Sequence, residues 1–381
     1  MDYGSAVDIS TVQSPGSYGV FSNAPVTELE KKRHEYACIL QSAPENSRAW
    51  SFFGYLSAQL GRYREAIDAY MQTLRIQEDS PRHWYNYATA LDQLGYYEDA
   101  VKSYSRALVV SPCYLKAMHG KSKNLYRLAR YQEALQSYDE ALQVTQDAYE
   151  VWYGRGKVLA KLKRLDEAVE SFERSLQLNP QSAKAWASLG QVLMYQKKDE
   201  AAISKFNKAI KLSPEDALFW THKGFLLKRL GRYEEALSCL DRAIEIDPGA
   251  ARNWHHRGLT LMNMRRYDEA YDSFETALKH QAYDHKSWLS LGWALEKIGD
   301  YEQAIEAYNK SLTIEPDQSF AFYRQARCYA LLKNEASAME HLRRAISLHP
   351  ESYHQYSMND PVLRGVQVRA IMAGVLSPTQ A

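Results

Sequence analysis

The 381-residue chain carries 47 basic and 46 acidic side chains, a net charge of +1, and is 45% hydrophobic and 12% aromatic. So even a balance argues against a dedicated nucleic-acid binder, which shows a basic excess. The four cysteines, Cys38, Cys113, Cys239 and Cys328, form no Cys-x-x-Cys pair, so they read as small apolar or surface residues of a reducing compartment, not as a disulfide framework.

Residues 1–25 are rich in Ser, Gly, Tyr and Val, include Pro15 and Gly16, and show no periodicity; a flexible tail is expected there. The first 24 residues hold no Lys or Arg, so the charged start of a secretory signal is missing. Residues 26–46 predict an N-terminal capping helix over 26–43, opened by Thr27 with Glu30 at capping-box spacing. Tyr36 and Leu40 fall in its apolar columns, with Pro44 as its stop.

From residue 47 to 352 one unit repeats every 34 residues, nine times, without an insertion (47–80, 81–114, 115–148, 149–182, 183–216, 217–250, 251–284, 285–318, 319–352). The copy at 217–250 is the most regular. Trp220, Gly224 and Leu227 share one helical face. Gly231 suits a left-handed helix end, and Tyr233, Ala236, Leu240, Ala243 and Ile244 line a second helix that Pro248 stops. The column Trp50, Trp84, Met118, Trp152, Trp186, Trp220, Trp254, Trp288, Phe322 supplies a bulky side chain that needs a hole. The unbroken column Ala66, Ala100, Ala134, Ala168, Ala202, Ala236, Ala270, Ala304, Ala338 lets two helices approach closely. A fixed period with a large/small code is the mark of a stacked helical solenoid. Residues 353–381 add Asp360-Pro361, a helix-start pair, and the apolar Val362, Leu363, Val366, Ile371 and Val375, which predict a C-terminal capping helix and a frayed tail from Ser377. The apolar run Val366–Leu376 is short and contains Arg369, so no membrane insertion is expected, and the protein reads as cytoplasmic.

The order Trp, Gly, Leu or Tyr, Tyr, Ala, Phe or Tyr, Ala, Pro within each unit resembles the tetratricopeptide repeat (TPR) family. Repeat three departs most, with Met118, Ser122 and Gln146; repeat nine is eroded at Phe322, Ala326 and Glu335. The resemblance implies an all-α, right-handed superhelical solenoid of helix-turn-helix repeats. Its first helices would line the concave wall and its second helices the convex one. It also implies a scaffold or adaptor that works by protein–protein interaction. TPR domains that grip the C-terminal carboxylates of heat-shock chaperones carry a Lys/Asn, Asn, Lys/Arg clamp over three repeats. Here those places hold His119 and Lys123, Gly154, then Lys184 and Ser188, so the clamp is not formed. The Asn ladder of the O-linked N-acetylglucosamine transferase superhelix is missing too, Asn86 standing alone.

Chemistry has little room. Outside the repeats lie 46 residues before and 29 after, less than an ordinary catalytic domain of ~100 residues. There is no glycine-rich phosphate loop, no His-Glu-x-x-His and no Cys/His zinc spacing. His222 and His256 share a column in adjacent repeats and His255 is beside them, but no third ligand is positioned. No catalytic residue, metal or cofactor is assigned.

The first-helix places left over from packing are 2, 5, 6, 9, 12 and 13. Across repeats three to seven they hold nine bases, Lys116, Lys123, Arg127, Lys157, Lys161, Lys184, Lys228, Arg229 and Arg252, against one acid, Glu150. His119, His222, His255, His256, Tyr153, Gln191, Tyr195 and Phe225 share these columns. Arg127, Lys161, Lys228 and Arg229 sit near helix C-termini, where the dipole favours cations; Lys116, Lys184 and Arg252 sit at the wrong end for that account. A groove of this kind attracts an acidic protein segment. Acids at the starts of second helices, such as Glu234, Glu235, Asp268, Glu269 and Glu302, suit the positive helix end. Rival readings are an assembly factor or self-associating or regulatory subunit using the solenoid ends and aromatic spots such as Tyr55, Tyr85, Trp293 and Tyr323, and RNA binding, which the charge balance disfavours.

Overall fold

The computed structural model describes residues 25–372 and 374; the tail expected over residues 1–24 and the C-terminal tail from Ser377, with Val375, lie outside the described residues. Among the described residues every regular element is a helix, 21 in all. The chain divides between Val192 and Leu193 into two compact units.

The first unit runs α1 (Val26–Ser42), α2 (Ser47–Gln59), α3 (Tyr63–Ile76), α4 (Pro81–Gln93), α5 (Tyr97–Val110), α6 (Leu115–Arg127), α7 (Tyr131–Val144), α8 (Tyr149–Lys161), α9 (Leu165–Leu178) and most of α10 (Ala183–Tyr195). The second holds α11 (Asp199–Leu212), α12 (Ala217–Arg229), α13 (Tyr233–Ile246), α14 (Ala251–Asn263), α15 (Tyr267–His280), α16 (His285–Ile298), α17 (Tyr301–Ile314), α18 (Ser319–Leu331), α19 (Glu335–Leu348), α20 (Pro350–Asn359) and α21 (Arg364–Met372). Within each unit the first and second helices of a repeat pack as a hairpin, and second helices pack on the first helix that follows, α3 on α4, α5 on α6 and α7 on α8 in the first unit and α11 on α12 through α17 on α18 in the second. First helices also touch one another, α2 to α4, α4 to α6 and α6 to α8 in the first unit, α12 to α14, α14 to α16 and α16 to α18 in the second. The chain is therefore an all-α array of tandem helical hairpins in which the first helices form a continuous layer inside each unit.

In the hairpins that carry a glycine in the first helix, the closest approach is filled by a residue other than the Trp. The Trp rings stay half-buried. What enters the glycine notch is the second-helix aromatic or leucine: Tyr70 against Gly54, Phe172 against Gly156, Leu240 against Gly224, Phe274 against Gly258 and Tyr308 against Gly292. A Cβ at Gly258 would sit 2.6 Å from Phe274 Cε1, inside contact distance. Trp84 and Trp288 pack against the buried core, and the Trp column performs a further task. Each indole Nε1–H donates to the backbone carbonyl six residues earlier, from Trp50 to Pro44 at 2.8 Å, Trp152 to Gln146 at 2.9 Å, Trp220 to Pro214 at 2.8 Å and Trp254 to Pro248 at 2.9 Å. The bond ties the incoming loop to the new helix and satisfies a carbonyl near the preceding helix end. Met118 and Phe322 have no indole to do so.

The turn inside each hairpin is left-handed at one fixed place. Gly61, Gly95, Gly231 and Gly299 have φ of 74°, 82°, 76° and 102°, and Ala129, Lys163, Lys197, Arg265 and Lys333 take φ near 60° at the equivalent positions. The five side-chain-bearing residues adopt a conformation that costs L-residues about 1–2 kcal/mol, so repeat packing overrides local preference there.

At the N-terminal end α1 begins one residue before Thr27, with Pro25 at the cap position and no side-chain cap bond, so the Thr27–Glu30 box does not form. Tyr36 stacks on Phe52 with centroids 5.3 Å apart, and Leu40 is buried. At the other end Pro350 does not merely stop the last repeat: it stands in the first turn of α20. Two short helices follow where one was expected. Leu363, Val366 and Ala370 of this segment bury against Ala326, Ala338 and Leu342. Arg327 is held between Glu296 at 3.0 Å and Asp360, which also accepts from the Tyr323 hydroxyl at 2.6 Å.

Candidate functional site

The first-helix layer of each unit carries part of the expected basic surface, and the two parts differ in chemistry. In the first unit the residues come from α6, α8 and α10. Lys116 is exposed at the start of α6 and His119 is half-buried one turn on, its ring 6.0 Å from that of Tyr138. Burial lowers the His119 pKa, and its Nδ1 is enclosed without a hydrogen-bond partner. Lys123 and Arg127 do not stand free. Both engage Asp92 of α4, Lys123 at 3.2 Å, and the Asp92 side chain is 4% exposed. Asp92 occupies place 12 of repeat two, one repeat before the stretch in which the groove charges were counted. A count begun at α4 would have found it, and it neutralises part of the basic excess.

Lys157 is the centre of what remains. Its ammonium lies 4.7 Å from the Tyr126 ring centroid and 5.8 Å from that of Tyr153, a cation–π arrangement between neighbouring first helices. Burial lowers its pKa, and Lys161, Arg127, Lys123 and Lys184 lower it further. Lys157 and Lys161 are one turn apart on α8, and Lys184 is one turn before Ser188 on α10. Lys157, Lys161 and Lys184 have no carboxylate within ion-pair distance among the described residues. The Tyr153 hydroxyl is 3.5 Å from Ser188 Oγ on α10. Gln191 is half-buried on the same helix. Tyr126, at place 12 of repeat three, is the wall residue that the sequence pattern alone does not mark, and Ser188, at place 6 of repeat five, stands out there only as a departure from the carboxylate clamp.

In the second unit the residues form an aromatic and imidazole surface. His222 stacks on Phe206 at 5.3 Å, His256 packs against Phe225 at 5.5 Å and against His255 at 6.0 Å, and His255 lies 5.6 Å from Phe274. His255 Nδ1 meets Ser287 Oγ at 3.0 Å. Burial pushes His255 down to about 4 and His256 down to about 3, so both are neutral at pH 7 and add no charge to the wall. Arg229 is bound to Asp199, while its guanidinium and the Lys228 ammonium lie 5.7 and 5.4 Å from the Phe225 centroid. Lys228 is half-buried and its pKa is lowered by burial. Arg252 and Tyr195 are exposed. No group of three or more His, Cys, Asp or Glu side chains among the described residues could hold a metal ion. No described helix is long and apolar enough to cross a membrane.

Two family models match the chain. The one described as the cilia and flagella-associated protein 70 C-terminal domain spans residues 143–359, and one described as tetratricopeptide repeat spans 53–112. No curated protein matches it. Among solved structures, a tetratricopeptide repeat protein from Parabacteroides merdae is similar at 17% identity and a TM-score of 0.52, over 65% of this chain and 98% of that one. The C-terminal part of a TPR repeat-containing protein from Cytophaga hutchinsonii is similar at 17% identity and 0.51, over 61% and 95%. YrrB, a TPR protein with an unusual peptide-binding site, is 24% identical over 50% of this chain and 98% of its own, at 0.43.

Proposed function

Because the chain belongs to the tetratricopeptide-repeat family, in the group described as the cilia and flagella-associated protein 70 C-terminal domain, we propose that it is a non-enzymatic scaffold whose first-helix wall in the first unit holds an acidic segment of a protein partner. The observation that carries this reading is Lys157. A half-buried ammonium between two tyrosines, crowded by cations and lacking an internal carboxylate, is electrostatically unsatisfied in the free protein. An anion brought to it relieves that repulsion, in a setting less screened than open surface. Lys161 and Lys184 stand ready at the edges. Lys123 and Arg127 contribute less than their charges suggest, since Asp92 already holds them. The second unit's Phe225, Lys228 and Arg252 suit apolar and anionic side chains of the same class of partner.

The test is fluorescence anisotropy with a labelled oligoglutamate peptide. Wild type binds it with an affinity that falls steeply as salt rises. The combined Lys157→Gln, Lys161→Gln, Lys184→Gln variant keeps its helical circular dichroism and loses most of that binding. Unchanged binding by the variant would remove the site from this wall. Lys123 is left alone, because an acid placed there would face the buried Asp92 and disturb the fold.

A further inference from the structure

The unpaired donors around Lys157 are of one chemical kind. The arginines of α6 and α8 are Arg127 and Arg155. The first is held by Asp92, the second by Asp139 at 2.7 Å. No free guanidinium fork remains to grip a carboxylate through two parallel bonds. What remains is three lysines, each a point charge with rotatable donors, together with the Tyr153 and Ser188 hydroxyls, whose 3.5 Å separation is too long for a strong mutual bond.

We propose that this subsite takes a phosphorylated side chain of the partner segment. The proposal rests on the reading of this wall as the acidic-segment site and names which acid it prefers. A phosphate monoester near pH 7 carries a charge of about −1.5 to −2 and three acceptor oxygens. Lys157 and Lys161 stand one turn apart on α8, and Lys184 stands one turn before Ser188, which meets Tyr153 across α8 and α10, so three ammoniums are available to a dianion with three acceptor oxygens. A carboxylate offers one charge and two oxygens, and without an arginine fork it gains nothing from its planarity. The aromatic rings of Tyr126 and Tyr153 hold the Lys157 ammonium in place, so little side-chain freedom is lost on binding.

The experiment compares three labelled peptides of one acidic sequence carrying serine, glutamate or phosphoserine at the central position. The phosphoserine peptide is expected to bind the full chain about tenfold tighter than the glutamate one, because the charge at the subsite roughly doubles. That advantage fades below a pH of about 6, where the phosphate takes up its second proton. Lys157→Gln abolishes it. Lys161→Gln, at an exposed position where folding is not at stake, reduces it, and Lys223→Gln on α12 leaves it intact. Equal binding of the glutamate and phosphoserine peptides overturns this inference and leaves the acidic-segment reading standing. Binding of none of the three overturns both. Displacement of the phosphopeptide by inorganic phosphate at comparable concentration shows a site for the free anion and also overturns the proposal.

Discussion

At the scale of single residues the repeat is held by two fittings that can be tested separately. The first is the glycine notch. A methyl at Gly258 meets the buried Phe274 ring at 2.6 Å. Gly258→Ala is therefore expected to lower stability, overpacking of about 1–3 kcal/mol outweighing a helix-propensity gain of about 1 kcal/mol. Adding Phe274→Leu, which copies the Gly224–Leu240 pairing, is expected to recover part of the loss; chemical denaturation of the single and double variants reads it. The second fitting is the indole bond. Trp254→Phe removes the donor to Pro248 and is expected to cost about 0.5–1.5 kcal/mol. The sequence displayed the Trp column plainly and showed half of its job: Trp84 and Trp288 do pack on the core beside Ala100 and Ala304, and the hydrogen bond was the hidden half. A bulky side chain in a repeat reads as a filler of holes, whereas the Nε1–H has a partner six residues back that only the loop geometry reveals. The left-handed turn was legible at Gly231 for the same reason in reverse: glycine advertises positive φ. Ala129 does not, yet it takes φ of 59°. Ala129→Gly is expected to stabilise by up to about 1 kcal/mol, strain relief exceeding the added freedom of the unfolded chain.

At the scale of helices, charge and burial are shared between neighbours. In the second unit, His255 and His256 are half-buried and held neutral, at about 4 and about 3 against an ordinary 6.5. Between these values and 6.5 the unfolded chain binds more protons than the folded one, so stability rises with pH over that interval and is lost as pH falls from 6.5 toward 4. His255→Gln with His256→Gln is expected to flatten this slope in denaturation midpoints measured from pH 7 to pH 4.5. At the C-terminal end burial alone would raise the Asp360 carboxyl, but Tyr323 and Arg327 hold it below its ordinary range. A depressed carboxyl stabilises above its unfolded value and loses that contribution as pH falls through the folded one, below about 4. The cap was only half legible. Asp360-Pro361 and the apolar residues after it announced a helix, while Pro350 reads as a stop because it completes a column of stops. Its place in the first turn of α20 depends on α20 having α19 to pack on, and a linear reading does not contain that.

At the scale of the whole molecule, the 34-residue period determined the architecture because each helix pair can bury its apolar face only against the next pair. The array of hairpins follows from counting. The basic wall was legible as a column of charges, and less so as a surface. Asp92 silences two of its cations, and half-buried neutral imidazoles add no charge beside Phe225. The proposed site is narrower than nine bases, centred on Lys157 and its two tyrosines. Hydrogen exchange of the full chain with and without a saturating oligoglutamate peptide tests this most directly. Slowed exchange is expected in α6, α8 and the start of α10, with the second helices α7 and α9 unchanged. Protection confined to the second helices, or to the capping segments α1, α20 and α21, would contradict it and move recognition to the outer face or the ends.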